Sequence, residues 1–232
     1  MGKLSSSYKN MLLSLLFICL LAAGLLAKVN DMTKAPIADA KALKLEEAIK
    51  DVVPIFDNNP VDESYKVATD NGDSLLVYPA KKGEEVVGFA VNSYSDNGFS
   101  GNIQVMVGFD MENNVVNYAV LFHSETPGLG SQMVEWFKPQ VQEYSLIEKL
   151  FGFEVKKAEA KSSIIGKSPK STQFAVSKDG GDIDAISAST ITSRAFLEAV
   201  NKAYAAYTQS QNQTDTGATI LIDQETTEVN DN

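Results

Sequence analysis

The sequence contains one cysteine, Cys19, and one histidine, His123, among its 232 residues. A single cysteine cannot close an intramolecular disulfide, and Cys19 lies within an apolar run, so we interpret it as part of a hydrophobic helix. The lone histidine excludes a multi-histidine metal site, and the sequence has no Cys/His cluster. We therefore expect neither a metal-ligand set nor redox chemistry at sulfur.

Basic residues are scarce relative to acidic ones. Lys and Arg number 20 against 30 Asp and Glu, which gives a formal net charge of −10. Nucleic-acid-binding domains present basic patches, so this balance argues against a nucleic-acid partner. The sequence also offers no nucleophile–base pair and no pair of aligned carboxylates. A hydrolytic active site is therefore not supported, and we name no catalytic residue.

Residues 11–27 contain no charged residue and are bounded by Lys9 and Lys28. The run is at the lower limit for a membrane-spanning helix, and snorkelling of the flanking lysines extends it. We predict a single transmembrane helix at residues 10–28. Because lysines precede the run, residues 1–9 are expected in the cytoplasm and the rest of the chain outside the inner (plasma) membrane. A cleaved signal peptide is the alternative, because small residues stand near the end of the run. They are Ala22, Ala23, Gly24 and Ala27.

An α+β domain with an antiparallel sheet is predicted behind this helix. Residues 29–72 are interpreted as a membrane-proximal helix, starting at Pro36, and a linker. Within residues 73–208, short apolar runs with turn residues between them predict strands. The predicted strands are residues 75–78, 86–91, 103–109 and 115–122, with closing strands at 174–176 and 183–186.

Two helices are predicted to pack on this sheet. The first covers residues 131–150, either as one helix or as two helices divided at Pro139. The second places four apolar side chains on one face with the spacing of an amphipathic helix. These are Phe196, Val200, Ala203 and Tyr207. Residues 209–232 are polar and acidic, and we expect them to form a mobile tail.

A cluster of hydroxyl side chains, the hydroxyl segment of residues 187–193, stands at the start of the C-terminal helix. Its members are Ser187, Ser189, Thr190, Thr192 and Ser193, with the small residue Ala188 among them and Asp184 before them. Unpaired backbone N–H groups and the helix dipole favour a phosphate at such a position. Arg194 lies one turn beyond Thr190 and is placed to face the same anion. The simpler interpretation is an ordinary helix cap made by one of these hydroxyls.

A glycine-containing segment follows the last strand of the meander. Pro127-Gly128 forces a turn, and Gly128 and Gly130 let the backbone approach a flat ligand closely. By itself the segment predicts only a tight loop between a strand and a helix.

The Asp-x-x-Ser-x-x-Thr spacing of residues 184–190 and the Glu-Thr-Pro-Gly-Leu-Gly sequence of residues 125–130 resemble the FMN-binding domain family. The resemblance implies that Thr190 carries FMN through a phosphodiester to its hydroxyl. A separate flavin transferase would install the FMN and recognise Asp184. Within the hydroxyl segment, Ala188 and Ser189 stand where the family has Gly and Ala.

The same resemblance places residues 125–130, the glycine loop, against the flavin. The implied contacts come from Glu125, Thr126, Gly128, Leu129 and Gly130, together with the hydroxyl segment. Thr126 and Leu129 are the best candidates for contact with the ring or the ribityl chain. Glu125 either holds the loop or tunes the flavin.

A second copy of the family string occurs near the C-terminus. Thr216-Gly217-Ala218-Thr219 matches the family segment (Ser/Thr)-Gly-Ala-Thr literally. It lacks an acid three positions earlier, where Gln213 stands, and it lacks the following Thr-Ser. We interpret it as a chance match and retain Thr190 as the acceptor.

The family includes the G subunit of the ion-translocating ferredoxin:NAD oxidoreductase (Rnf) complex and the C subunit of the sodium-translocating NADH:quinone reductase. The compact length and the acidic tail favour the first. The resemblance then implies a membrane-bound electron-transfer protein with covalent FMN and no turnover of its own. Its expected partners are the other Rnf subunits, the flavin transferase and the lipid bilayer. The alternatives are the corresponding protein of the quinone reductase and a membrane-tethered interaction domain without redox chemistry.

Overall fold

The computed structural model describes residues 7–69, 72–139 and 161–216, with side chains described as far as residue 211. The chain divides into two compact units, Met1–Leu45 and Glu46–Asn232. The first unit contains most of one long helix, and the second contains the sheet and the remaining helices.

Helix α1 spans Tyr8–Val52 and contains the apolar run. Its side chains are exposed from Tyr8 as far as Lys44. The helix is long and apolar enough to cross a membrane, although a signal sequence has the same properties. The predicted apolar N-terminal helix is confirmed.

The helix boundary predicted at Pro36 is wrong, because Pro36 lies inside α1. Proline removes one backbone hydrogen bond from a helix interior. The Ala, Lys and Leu residues around Pro36 are strong helix formers, so the helix continues on both sides of it.

Five antiparallel strands form a meander in the order β1-β2-β3-β4-β5. They are β1 Tyr65–Ala68, β2 Ser74–Lys82, β3 Glu85–Gly98, β4 Gly101–Asp110 and β5 Val115–Phe122. The four strands predicted for the meander are confirmed. Strand β1 was missed, because its four residues are too few for a clear period-two pattern.

The end of α1 packs on this sheet within the second unit. Ile49 and Val52 are fully buried. A Cβ added at Gly108 in β4 would lie 1.7 Å from the Val52 carbonyl oxygen. Glycine at this position therefore allows the end of the helix to approach the strand.

Helix α3, Thr190–Thr216, packs across the sheet. The four apolar side chains predicted on its inner face are all fully buried. Phe196 stacks on Phe137 with 4.5 Å between ring centroids. The Ser93 hydroxyl of β3 donates a 2.8 Å hydrogen bond to the Ala199 carbonyl oxygen. These contacts fix α3 against β3 and against Phe137.

The connection between β5 and α3 contains short helices. It includes a 3-10 turn at Gly130–Gln132, helix α2 at Met133–Trp136 and a second 3-10 turn at Ser177–Asp179. The helix predicted over residues 131–150 is thus confirmed only at its start, and residues 140–150 lie outside the described residues.

The closing strands predicted at residues 174–176 and 183–186 are wrong. A single parallel bridge joins Val176 to Ile183, and the chain turns between them through Gly180 at φ 87°. Both bridged side chains are buried. Burial in an irregular segment leaves the same short apolar runs as a strand, so the pattern was misread.

The tail predicted for residues 209–232 is wrong for residues 209–216, because α3 continues to Thr216. Extending an established helix adds one hydrogen bond per residue, so polar residues of moderate propensity suffice. Residues 217–232, including Thr219, lie outside the described residues.

Candidate functional site

The structure brings the glycine loop and the hydroxyl segment together at one cleft of about 310 Å³. We call it the threonine cleft. Its lining residues come from the β3–β4 turn, the glycine loop and the start of α3. They are Phe99, Glu125, Thr126, Leu129, Gly130, Ala188, Ser189, Thr190, Ile191 and Thr192. The two segments singled out by sequence thus form one site, although they are far apart along the chain.

Thr190 is the first residue of α3 and is partly exposed at this cleft. The turn before it is closed by a 3.0 Å hydrogen bond from the Ser189 N–H to the Ile186 carbonyl oxygen. The Ser193 hydroxyl fastens the same turn, because it accepts from the Ile186 N–H at 2.9 Å and donates to the Ser189 carbonyl oxygen at 3.0 Å. Ser193 is therefore an internal brace of the turn, whereas Ser187 is exposed.

Ala188 has a left-handed backbone conformation, with φ 61°. An L-residue with a Cβ pays about 1–2 kcal/mol in this region, and glycine does not. Glycine would therefore adopt this conformation with less strain than Ala188 does. Ala188 is exposed and small, which leaves the approach to Thr190 open.

Glu125 is buried, at 5% exposure, and joins three segments around the cleft. Its Oε2 accepts a 2.6 Å hydrogen bond from the Thr192 hydroxyl, and its Oε1 accepts a 3.0 Å hydrogen bond from the Ser100 N–H. A Cβ at Gly98 would lie 2.7 Å from Oε1, and one at Gly130 would lie 2.5 Å from Oε2. The surrounding backbone leaves just enough room for this carboxylate.

The glycine loop is held by hydrogen bonds within the loop and to the adjacent Ser131. The Gly128 N–H donates to the Ser131 hydroxyl at 2.9 Å, and the Leu129 N–H donates to the Thr126 carbonyl oxygen at 3.2 Å. Gly128 has φ 76° and supplies the turn that the sequence predicted. Gly128 is exposed and is not among the residues that line the cleft, whereas Gly130 lines it and is buried.

Three large apolar side chains around the cleft are exposed. Phe99 is 68% exposed, Ile191 47% and Leu129 42%. Grouped apolar side chains at the surface mark a site for a ligand or a partner. Of these three, only Leu129 lies in a segment that the sequence marks as a candidate contact, because no local pattern identifies a single exposed apolar residue such as Phe99 or Ile191 as functional.

Asp184 and Arg194 do not line this cleft. The Asp184 carboxylate accepts a 2.7 Å hydrogen bond from the Ser177 hydroxyl and stays exposed. Arg194 forms two hydrogen bonds with Asp179, at 2.7 and 2.8 Å. This pair lowers the pKa of Asp179 below its ordinary value. The expectation that Arg194 faces the same anion as Thr190 is therefore wrong.

A larger depression of about 530 Å³ lies along α3 around Arg194. The charges at its edge form pairs with each other, Asp179 with Arg194 and Glu198 with Lys202 at 3.0 Å. The threonine cleft is smaller but falls within the range of about 300–1,000 Å³ typical of ligand pockets. It is also lined by residues of both segments that the sequence singled out, so it is the candidate functional site.

The cleft fits a phosphate-bearing flavin. The first backbone N–H groups of α3 have no partner within the helix, and they lie at the positive end of its dipole. Exposed apolar side chains beside them match the ring, and the small Ala188 leaves room beside Thr190.

Comparison with known proteins defines the class of the site. Residues 98–205 match the FMN-binding domain family, and they include the glycine loop and the first turns of α3. This is an FMN-binding domain behind an apolar N-terminal helix.

Relatives along most of the chain narrow the assignment. The G subunit of the ion-translocating oxidoreductase complex of Erwinia tasmaniensis is 33% identical over 187 residues, covering 78% of this chain and 81% of that protein. Proteins of the same name from Shewanella oneidensis and Escherichia coli are each 32% identical. The alignment with the Shewanella oneidensis protein covers 88% of this chain and 90% of that protein. The alignment with the Escherichia coli protein covers 78% of this chain and 82% of that protein. The chain belongs to this family, the G subunits of ion-translocating oxidoreductase complexes.

Proposed function

We propose that the chain relays electrons through FMN covalently bound to Thr190, within a membrane-bound ion-translocating ferredoxin:NAD oxidoreductase (Rnf) complex. The observation that carries the proposal is the threonine cleft, where Thr190 at the start of α3 meets the glycine loop. The relatives reported above are named as proteins of an ion-translocating oxidoreductase complex, which favours this complex over the sodium-translocating quinone reductase.

The residues of the cleft have separate tasks in this proposal. The Thr190 Oγ would carry the phosphate as an ester, and the first backbone N–H groups of α3 would stabilise its negative charge. Leu129 and Phe99 contact the flavin, and Thr126 offers a hydrogen bond beside them. Because Gly130 has no side chain, the Glu125 carboxylate has room to reach Thr192.

A bound flavin supplies the electron-transfer chemistry, including one-electron steps. The chain itself keeps the flavin at the surface, because Phe99 and Ile191 remain about half exposed or more. A surface position allows exchange with neighbouring Rnf subunits, which we propose as the partners. The ion-translocating activity then belongs to the assembled complex rather than to this chain alone.

Attachment to Thr190 is a phosphoryl transfer with no change in oxidation state. The donor must be an activated FMN derivative, such as a flavin nucleotide with a pyrophosphate bond. The threonine Oγ forms the new P–O bond while the pyrophosphate P–O bond breaks. A nucleoside monophosphate leaves, and the hydroxyl proton passes to solvent. A flavin transferase that binds around Asp184 would catalyse this step.

The attachment is tested by co-expressing the full chain with a flavin transferase and running a denaturing gel. The wild-type band is expected to fluoresce, because a covalent flavin survives denaturation. Thr190→Val is expected to be dark, since valine matches threonine in shape but has no hydroxyl. Thr219→Val is the matched control in the second family string and is expected to stay fluorescent.

Two results contradict the attachment. A dark wild-type band, obtained while the transferase labels a known substrate, favours an interaction domain without redox chemistry. A fluorescent Thr190→Val band together with a dark Thr219→Val band moves the acceptor to the C-terminal copy.

We also propose that residues 10–28 of α1 anchor the chain, with residues 1–9 in the cytoplasm and the FMN domain on the outer side. Single cysteines in a Cys19→Ala background test this orientation. A membrane-impermeant thiol reagent applied to intact spheroplasts should label Glu84→Cys, which lies in an exposed turn, and should not label Ser5→Cys. The reverse pattern contradicts the orientation. Release of the chain by alkaline extraction contradicts the anchor.

A further inference from the structure

The Glu125 carboxylate connects the glycine loop to the first turn of α3. It accepts hydrogen bonds from the Thr192 hydroxyl at 2.6 Å and from the Ser100 N–H at 3.0 Å. Both Glu125 and Thr192 are buried, at 5% and 1% exposure. A buried charge is costly unless hydrogen bonds satisfy it, so these two donors hold the carboxylate in one place.

Thr192 is two residues beyond the proposed acceptor. Side chains two positions apart on a helix do not face each other, because each residue turns the helix by about 100°. Anchoring Thr192 inward therefore fixes the rotation of the whole first turn. That rotation leaves Thr190 partly exposed at the cleft.

A glycine lies next to each of the two carboxylate oxygens of Glu125. Gly98 and Gly130 stand where a methyl group would fall 2.7 Å and 2.5 Å from the two carboxylate oxygens. The Gly130 methyl group would also fall 2.7 Å from the Thr192 hydroxyl. Gly130 thus leaves room for the contact between Glu125 and Thr192, whereas Gly98 leaves room for Oε1 and for the Gly101 carbonyl oxygen, 2.3 Å from its added Cβ.

We propose that Glu125 is a positioning residue, which acts through Thr192 to hold the first turn of α3 so that the Thr190 hydroxyl is presented at the cleft for flavin attachment. The proposal rests on the proposed function. It concerns the same transfer, in which the threonine Oγ–P bond forms, the pyrophosphate P–O bond of the flavin nucleotide breaks and the proton goes to solvent. Glu125 itself gains and loses no bond in that step.

The test measures the initial rate of flavin incorporation into the full chain in membranes, with the transferase and its flavin nucleotide in excess. Thr192→Val removes the hydroxyl and keeps the shape, so the rate is expected to fall by about 10- to 100-fold, as for a small displacement of a reacting group. Glu125→Ala is expected to lower the rate of flavin incorporation by a similar factor. Combining the two substitutions should add little, because both break the same contact.

Conservative variants separate geometry from charge. Thr192→Ser keeps the hydroxyl and is expected to stay close to the wild-type rate. Glu125→Gln can accept from the Ser100 N–H with its oxygen and donate to the Thr192 hydroxyl with its amide. It is therefore also expected to stay close to the wild-type rate. A Gln variant as slow as the Ala variant overturns the proposal, since the charge and not the hydrogen bonding would then be required.

A control variant separates positioning from loss of stability. Val200→Ala creates a cavity on the buried face of α3, away from the cleft, and is expected to lower the melting temperature without slowing incorporation. If Thr192→Val slows incorporation no more than Val200→Ala at a similar melting temperature, the proposal is overturned.

Hydrogen exchange on the flavin-free chain gives a readout that does not depend on the transferase. Amides of residues 193–196 donate to the carbonyl groups of residues 189–192, so they are expected to exchange faster in Thr192→Val, while those of residues 199–207 stay protected. Unchanged exchange at residues 193–196 overturns the proposal. A wild-type chain that takes up no flavin refutes the proposed function instead, so the two failures are distinct.

Discussion

Gly130 lies so close to Glu125 that a Cβ on the glycine would fall 2.5 Å from the carboxylate Oε2. Carbon and oxygen atoms that are not bonded do not approach so closely in folded proteins, so an added methyl group must displace the carboxylate or the loop. The glycine is needed here for space, whereas Gly128 in the same loop is needed for its φ of 76°. Two glycines of one motif thus have different physical roles.

Gly130→Ala is expected to lower the free energy of unfolding by about 1–3 kcal/mol, the usual cost of overpacking a buried site. Gly128→Ala meets no atom within 4 Å and should cost only the backbone strain, about 1 kcal/mol. Thermal unfolding of the full chain in detergent compares the two. An equal or smaller loss for Gly130→Ala contradicts the close approach.

Ala188→Gly is expected to stabilise the protein by up to about 1 kcal/mol, because glycine has no Cβ to strain in the left-handed conformation. The greater conformational entropy of glycine in the unfolded chain offsets part of this gain. The matched control is Ala205→Gly on the exposed side of α3, which should destabilise by about 1 kcal/mol. Denaturant unfolding measures both. If the two variants change stability in the same direction, the backbone assignment at Ala188 is wrong.

Tyr118→Phe is expected to lower the free energy of unfolding by about 1–3 kcal/mol. The buried Tyr118 hydroxyl donates to the Met133 carbonyl oxygen at 2.7 Å and accepts from the Phe137 N–H at 3.2 Å, so it ties α2 to the sheet. Tyr207→Phe removes a 2.8 Å bond to the Asp110 carbonyl oxygen and should cost about 1 kcal/mol. Calorimetry measures the stability of both variants. If Tyr118→Phe and Tyr207→Phe both leave the free energy of unfolding nearly unchanged, the role given to Tyr118 is contradicted.

Glu198 makes part of the stability of α3 dependent on pH. Burial raises the pKa of Glu198, but hydrogen bonds from Asn97, Lys202 and Ser95 outweigh it, so the pKa lies below the ordinary value of 4.5. A lowered pKa stabilises the folded state above the unfolded value, and the contribution is lost as the pH falls through the folded value.

Glu198→Gln is therefore expected to be less stable than the wild type at pH 7, by up to about 1 kcal/mol because the pair is partly exposed. The difference should vanish as the pH is lowered below the folded pKa. Urea titrations at several pH values between 7 and 3 measure it. A difference that stays constant over this range contradicts the assigned hydrogen bonds.

The sequence predicted the elements that have strong periodicity and long runs. The meander strands and the inner face of α3 were found because burial on one side leaves a regular pattern, as at Phe196 and Tyr207. Segments 174–176 and 183–186 were misread because an apolar stretch buried in an irregular connection has no pattern of its own. The bridge between Val176 and Ile183 is set by tertiary packing.

The candidate site also contains some features that the sequence predicts and others that only the fold creates. The glycine loop and the hydroxyl segment stand out in the sequence because their composition is unusual over several residues. The hydrogen bond between Glu125 and Thr192, and the pairing of Arg194 with Asp179, join residues brought together only by the fold. Phe99 and Ile191 line the cleft for the same reason, and no spacing rule identifies them.

The most direct test of covalent attachment is mass spectrometry of tryptic peptides from the chain purified from its native membranes. Cleavage after Lys178 and Arg194 gives one peptide, residues 179–194, that contains the whole hydroxyl segment, whereas Thr219 falls in the separate peptide 203–232. We predict that peptide 179–194 is heavier by one FMN less one water, with fragmentation placing the addition on Thr190. An unmodified peptide 179–194, or the same addition on peptide 203–232, would contradict the account.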